Sequence, residues 1–138
     1  LRGYCLCIDL DGTEQDLIAN VGDRVFFDVN KANIYDNDGD VTTLNRQAAW
    51  LKKYPKIDVI IAGNTDERGT ETYNLALGYR RATVVRNFLI AKGVANSRLQ
   101  IISYGKSRPV EPGNDAASYE ANRNAITSVI GFSPQDSH

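Results

Sequence analysis

Asp66 and Arg81 are the residues whose types and spacing best suit recognition chemistry in this chain. Asp66 follows the apolar run Ile57–Ala62, inside the polar turn Gly63-Asn64-Thr65-Asp66-Glu67-Arg68-Gly69-Thr70. Arg81 lies in the helical stretch that comes next, beside Arg80. If the chain folds back through Gly69, the acid and the guanidinium share one rim. Such a pair can hold a zwitterion: Asp66 accepts hydrogen bonds from an ammonium group, and Arg81 grips a carboxylate with two parallel bonds. The same spacing fits a structural salt bridge between Asp66 and Arg81, and the sequence leaves both readings open. Arg80 should point elsewhere, because adjacent helix positions do not share a face. Leu77 shares the face of Arg81 and is either core or the apolar wall of a pocket.

Alternating strands and helices must position these groups. Arg24–Val29 is rich in β-formers and reads as a strand, and the stretch Asn30–Asp38 is loop-like. Leu44, Ala48, Trp50, Leu51 and Tyr54 recur at helical spacing until Pro55 stops them. Ile57–Ala62 has the continuous apolar character of a buried strand. A long helix is expected from Tyr73 to Lys92, with Gly93 at its end. Leu99–Tyr104 is the next strand, Ala116–Ala121 a short helix, and Asn124–Ile130 a last strand. This order predicts an α/β two-layer sandwich, with a mixed sheet of about four strands packed against helices. Right-handed crossovers place the ends of the first two strands, and the loops after them, on one rim. Residues 1–22 read as a lead-in or tether, with the compact unit starting near Gly22. It spans 23–131, and 132–138 form a tail.

The bulk numbers exclude several classes of function. With 138 residues, 42% hydrophobic, the chain suits one domain with a single core. Seventeen acidic against sixteen basic residues, a net charge of −1, argue against non-specific binding to nucleic acid or an anionic membrane surface. No apolar run reaches the ~20 residues of a membrane helix, and no signal peptide is visible at the start. Cys5 and Cys7 would form a strained disulfide, since alternate strand positions are poorly placed to bridge. Tyr4 and Leu6 precede them where a lipid-attachment cysteine follows a small residue. The one histidine is His138, so neither a zinc site nor a His-assisted nucleophile is expected.

The run from Gly63 to Ala82 resembles the signature of OmpA-like domains: a Thr-Asp after a strand, then Asn, Leu and Arg-Ala on a helix. Here these are Thr65-Asp66, Asn74, Leu77 and Arg81-Ala82. Asp66-Glu67-Arg68-Gly69-Thr70, Tyr73-Asn74, Ser103-Tyr104-Gly105-Lys106, Arg108-Pro109, Tyr119 and Asn122-Arg123 are most similar to the lipoprotein (Pal) branch of that family. The likeness extends from about Gly22 to Ile130. It implies a domain that is not an enzyme, needs no cofactor or metal, and binds peptidoglycan at the meso-diaminopimelate of the stem peptide. By the same likeness, Asp66 and Arg81 take the charged ends of that residue and Leu77 walls it. Thr65 and the Val29-Asn30 loop complete the implied site. Pal-type members often carry Phe-Asp where Val29-Asn30 stands, and Asn30 brings no charge. The likeness further implies a periplasmic place in a Gram-negative bacterium, an upstream lipid anchor in the outer membrane, and a partner, TolB. Asp66→Ala and Arg81→Ala are each expected to abolish binding to sacculi while leaving the fold intact. An OmpA porin domain or a flagellar-stator domain is the alternative within the family.

Two further motifs compete. Asp9-Leu10-Asp11-Gly12-Thr13 resembles the DxDGT nucleophile loop of haloacid-dehalogenase-type phosphatases, which bind Mg²⁺. The later Lys and paired acids of those enzymes have no counterpart, because the downstream residues follow the OmpA-like pattern. Asp36-Asn37-Asp38-Gly39-Asp40 resembles a calcium loop, but an EF-hand needs Glu at its twelfth position, where Gln47 stands. A solvated turn leading into the helix is the expectation there.

Overall fold

In the computed structural model, which describes residues 12–34 and 38–132, the elements alternate as the apolar periodicity requires. They are a short helix α1 (Glu14–Asp16) continued by a π turn (Leu17–Val21), β1 (Arg24–Phe26), α2 (Asp38–Lys53), β2 (Ile57–Asn64), α3 (Glu71–Ala91), β3 (Leu99–Gly105), α4 (Ala116–Asn122) and β4 (Asn124–Phe132). A 3-10 turn, Asn96–Arg98, leads into β3. The four strands form one mixed sheet in the order β1-β4-β2-β3. β2 and β3 are parallel, and β4 runs antiparallel to both β1 and β2. The expected two-layer α/β sandwich is therefore present.

Strand direction places the site. β1, β2 and β3 all end on one rim, where β4 begins. Phe26 pairs with Asn124 on β4, and Asn64 pairs with Gly105 on β3, so four chain segments converge there. The core lies between the sheet and α2 and α3. It is built from Val25, Val59 and Ile61 on strands, Leu44 and Leu51 on α2, and Val85 and Leu89 on α3. Two glycines let α3 approach β2. A Cβ on Gly63 would collide with the Gly78 carbonyl, and one on Gly78 would collide with Ser103 Oγ. That close approach brings Leu77 and Arg81 up to the end of β2.

Three expectations differ from the structure. The first strand ends at Phe26 rather than Val29. Lys31 N donates to Asp28 O at 3.1 Å, and Asn30 adopts φ 60°, so the chain turns instead of extending. Asparagine tolerates this left-handed conformation better than most residues. The lead-in, as far as it lies within the described residues, is part of the packed unit. Leu17 is buried in the core, and Asp16 accepts the Trp50 indole N–H at 2.8 Å. α3 begins two residues earlier than expected, at Glu71, because Thr70 Oγ1 caps it by accepting from Tyr73 N at 3.1 Å. Cys5, Cys7, Asp9, Asp11, Asp36 and Asn37 lie outside the described residues. Thr13 of the DxDGT string caps α1 by accepting from Asp16 N, and Gly39 and Asp40 lie in the first turn of α2.

Candidate functional site

The rim carries one cavity lined by Val29, Asn30, Thr65, Asp66, Leu77 and Arg81. All six sequence-derived candidates therefore meet at one place. Arg68, Asn74 and Arg123 complete the lining. The cavity measures about 40 Å³, several times the ~10–15 Å³ that holds one water. Its acid, guanidinium and aliphatic lining suits a small charged head group.

Thr65 and Asp66 leave the end of β2 as the chain turns toward α3. Thr65 N donates to Gly105 O at 2.8 Å, which ties the turn to the end of β3. Asp66 is largely buried, and the arginines facing it are not the expected one. Its Oδ2 receives Arg68 Nη2 at 2.8 Å and Arg123 Nη1 at 3.4 Å. Its Oδ1 receives Arg68 Nε at 3.3 Å and the Arg68 backbone N–H at 3.0 Å. Burial by itself would raise the Asp66 carboxyl. The Arg68 hydrogen bonds, its charge and then Arg123 outweigh this and hold the group below the usual carboxylate range.

Arg81 is fully buried and forms the cavity floor. Its Nε donates to Lys31 O at 2.9 Å, Nη1 to Asn64 O at 2.8 Å, and Nη2 to Asp28 O at 2.9 Å. The guanidinium also lies 5.1 Å from the Phe27 ring centroid. Burial, then repulsion from Arg123, pushes its pKa down to about 10, so it stays charged at neutral pH. The salt-bridge alternative is thereby excluded: Asp66 and Arg81 share a cavity without pairing with each other. A guanidinium has five N–H donors. Three are committed to backbone carbonyls, so one N–H on each terminal nitrogen is left for a carboxylate. The expectation that Arg81→Ala leaves the fold intact does not survive this geometry, because alanine would strip a donor from each of three carbonyls that hold the rim, with Asp28 O keeping Lys31 N.

The neighbours follow. Leu77 is buried but touches the cavity, and so is both core and wall. Arg80 is exposed, as its position beside Arg81 predicts. Val29 is exposed at the mouth, and Asn30 Oδ1 accepts the Tyr73 hydroxyl at 3.2 Å, which pins the loop to α3. Asn74 Nδ2 donates to Arg68 O at 2.7 Å, and Arg123 Nε to Phe27 O at 2.9 Å. Arg68, Asn74 and Arg123 all stand in motifs that mark the family resemblance. Arg68 sits two positions from Asp66, a spacing that allows the pair. Nothing local to Arg123 points to it, since its partner lies 57 positions away. Among the described residues, no group of three His, Cys, Asp or Glu side chains could hold a metal ion.

Known proteins resemble this chain over most of its length. The peptidoglycan-associated lipoprotein of Mesorhizobium japonicum is 49% identical over 120 residues, covering 87% of this chain and 70% of that protein. Its namesake in Rhizobium meliloti is 48% identical over 120 residues, covering 87% and 66%. The chain thus spans about two thirds of the length of these relatives. The crystal structure of the peptidoglycan-associated lipoprotein from Burkholderia pseudomallei superposes with a TM-score of 0.76 at 37% identity, covering 83% of this chain and 99% of that one. Residues 26–123, from the end of β1 to the arginine beside Asp66, match the OmpA family, to which this chain belongs.

Proposed function

We propose that this domain binds peptidoglycan non-covalently, taking the free end of meso-diaminopimelate in the stem peptide into the rim cavity. In this reading Asp66 accepts the ammonium group and the two uncommitted N–H groups of Arg81 take the carboxylate. Leu77 and Val29 line the aliphatic chain between them, and Thr65 and Asn30 border the head group. The observation that carries the reading is that a buried acid and a buried guanidinium share one cavity without pairing with each other. The names of the relatives, all peptidoglycan-associated lipoproteins, support it. So does the lining of the cavity, which sets charged groups of both signs beside the Leu77 wall.

Selectivity follows from the charges. Lysine in place of diaminopimelate ends in an amine alone and leaves Arg81 without a partner. Losing one side of a charged hydrogen bond in a desolvated site costs on the order of a few kcal/mol. In the cell, the domain then links the outer membrane to the wall from the periplasmic side of a Gram-negative envelope. It acts as a binding module rather than an enzyme, within the Tol-Pal system and with TolB as a protein partner. The test is co-sedimentation with diaminopimelate-type sacculi, with free meso-diaminopimelate as competitor. Wild type should sediment and be released by the competitor, whereas folded Asp66→Asn should stay in solution. Equal affinity for lysine-type sacculi would refute the two-ended grip.

A further inference from the structure

This inference rests on the ammonium-and-carboxylate reading of the cavity and deepens it. In the structure, Asp66 has no acceptor capacity to spare. A carboxylate offers about four lone-pair sites, and four donors already approach it: the Arg68 backbone N–H, Arg68 Nε, Arg68 Nη2 and Arg123 Nη1. An incoming ammonium must displace one of them. Arg123 is anchored, with Nε on the Phe27 carbonyl at 2.9 Å and a side chain only 13% exposed. The Arg68 side chain is 49% exposed, on a flexible stem. Its guanidinium already lies 4.3 Å from the Tyr119 ring centroid, an attractive contact that it can keep when it lets go of the acid.

We propose that Arg68 is an internal competitor: its guanidinium occupies the ammonium position at Asp66 in the free protein, and ligand binding exchanges one cation for the other. The buried carboxylate is then never left unpaired, which would be costly. The exchange also sharpens selection. A lone amine gains at Asp66 little more than the protein gives up with Arg68, so net affinity has to come from the carboxylate that reaches Arg81. Arg68 thus acts as a specificity-determining residue against ligands that carry only the amine.

The test is calorimetric titration of meso-diaminopimelate into wild type and Arg68→Gln, with Asp66→Asn as the reference. Removing a half-exposed ion pair of this kind should tighten binding about three- to fivefold. In wild type, saturation should also move the Arg68 Nε–Hε resonance toward that of a solvent-exposed arginine, a shift that Asp66→Asn lacks. Unchanged or weaker binding by Arg68→Gln, with wild type still binding, overturns the competitor role and leaves the site standing. If neither wild type nor Arg68→Gln binds, the competitor role and the site reading both fall.

Discussion

Arg81→Ala is expected to loosen the rim before it touches ligand binding. The substitution removes the donors to Asp28 O, Lys31 O and Asn64 O. The bond to Asn64 is the buried one, and an orphaned buried acceptor costs about 1–3 kcal/mol. Asp28 O keeps Lys31 N as a donor, and water can enter through the adjoining cavity to Lys31 O, so each of these two costs about 0.5–1.5 kcal/mol. With the packing lost against Phe27 as well, the sum is about 2–6 kcal/mol. For a domain of this size, that lowers the melting temperature by about 8–25 °C. Circular dichroism melts and urea titrations of wild type and Arg81→Ala measure it directly. Arg81→Lys keeps a charge and three donors in the site. It should recover part of the loss but still fail to bind sacculi, because a lysine presents no fork to the carboxylate. A melting temperature for Arg81→Ala within about 2 °C of wild type would show that the three carbonyl bonds hold nothing, and the argument for a structural guanidinium would fail.

Gly63→Ala puts a Cβ against the Gly78 carbonyl and should force α3 away from β2. Destabilisation of about 1–3 kcal/mol or more and loss of sacculus binding are expected, both readable by chemical denaturation and co-sedimentation. Asp16 is held below its usual pKa chiefly by the Trp50 indole and then Asn20, against the opposing effect of burial. A carboxyl depressed in the folded state stabilises above its unfolded pKa, and that contribution is lost as pH falls through the folded value. Wild type should therefore lose stability below about pH 4, whereas Asp16→Asn starts lower at neutral pH and shows a flatter acid limb in pH-dependent melts. Asp66 is depressed as well, so sacculus binding should persist down to about pH 4 and fail only under stronger acid. Half-loss already at about pH 6 would mean that another group controls binding.

The element order, the buried strand expected at Ile57–Ala62, which runs on to Asn64, and the long helix after it were legible because hydrophobic periodicity is a local signal. The six candidate residues were named together because they stand in motifs that resemble the OmpA-like signature, whereas spacing alone offered Asp66, Arg81 and Leu77. What failed was local reading of residues with distant partners. The strand expected to run to Val29 stops at Phe26, because Asn30 turns left-handed and Arg81 collects the carbonyls of Asp28 and Lys31. The packed unit includes residues ahead of Gly22, because Asp16 finds Trp50, 34 positions on.

Taken alone, the sequence determined the fold class, the rim on which the site lies and the kinds of charge it carries. Only the tertiary structure decided the pairing. Asp66 belongs to Arg68 and Arg123, and Arg81 belongs to the backbone. The physical reason is that a buried charge takes whichever partner the packed chain brings within hydrogen-bonding distance: the local turn does this for Arg68, whereas for Arg81 and Arg123 the approach of α3 to β2 and of β4 to β1 sets the distance.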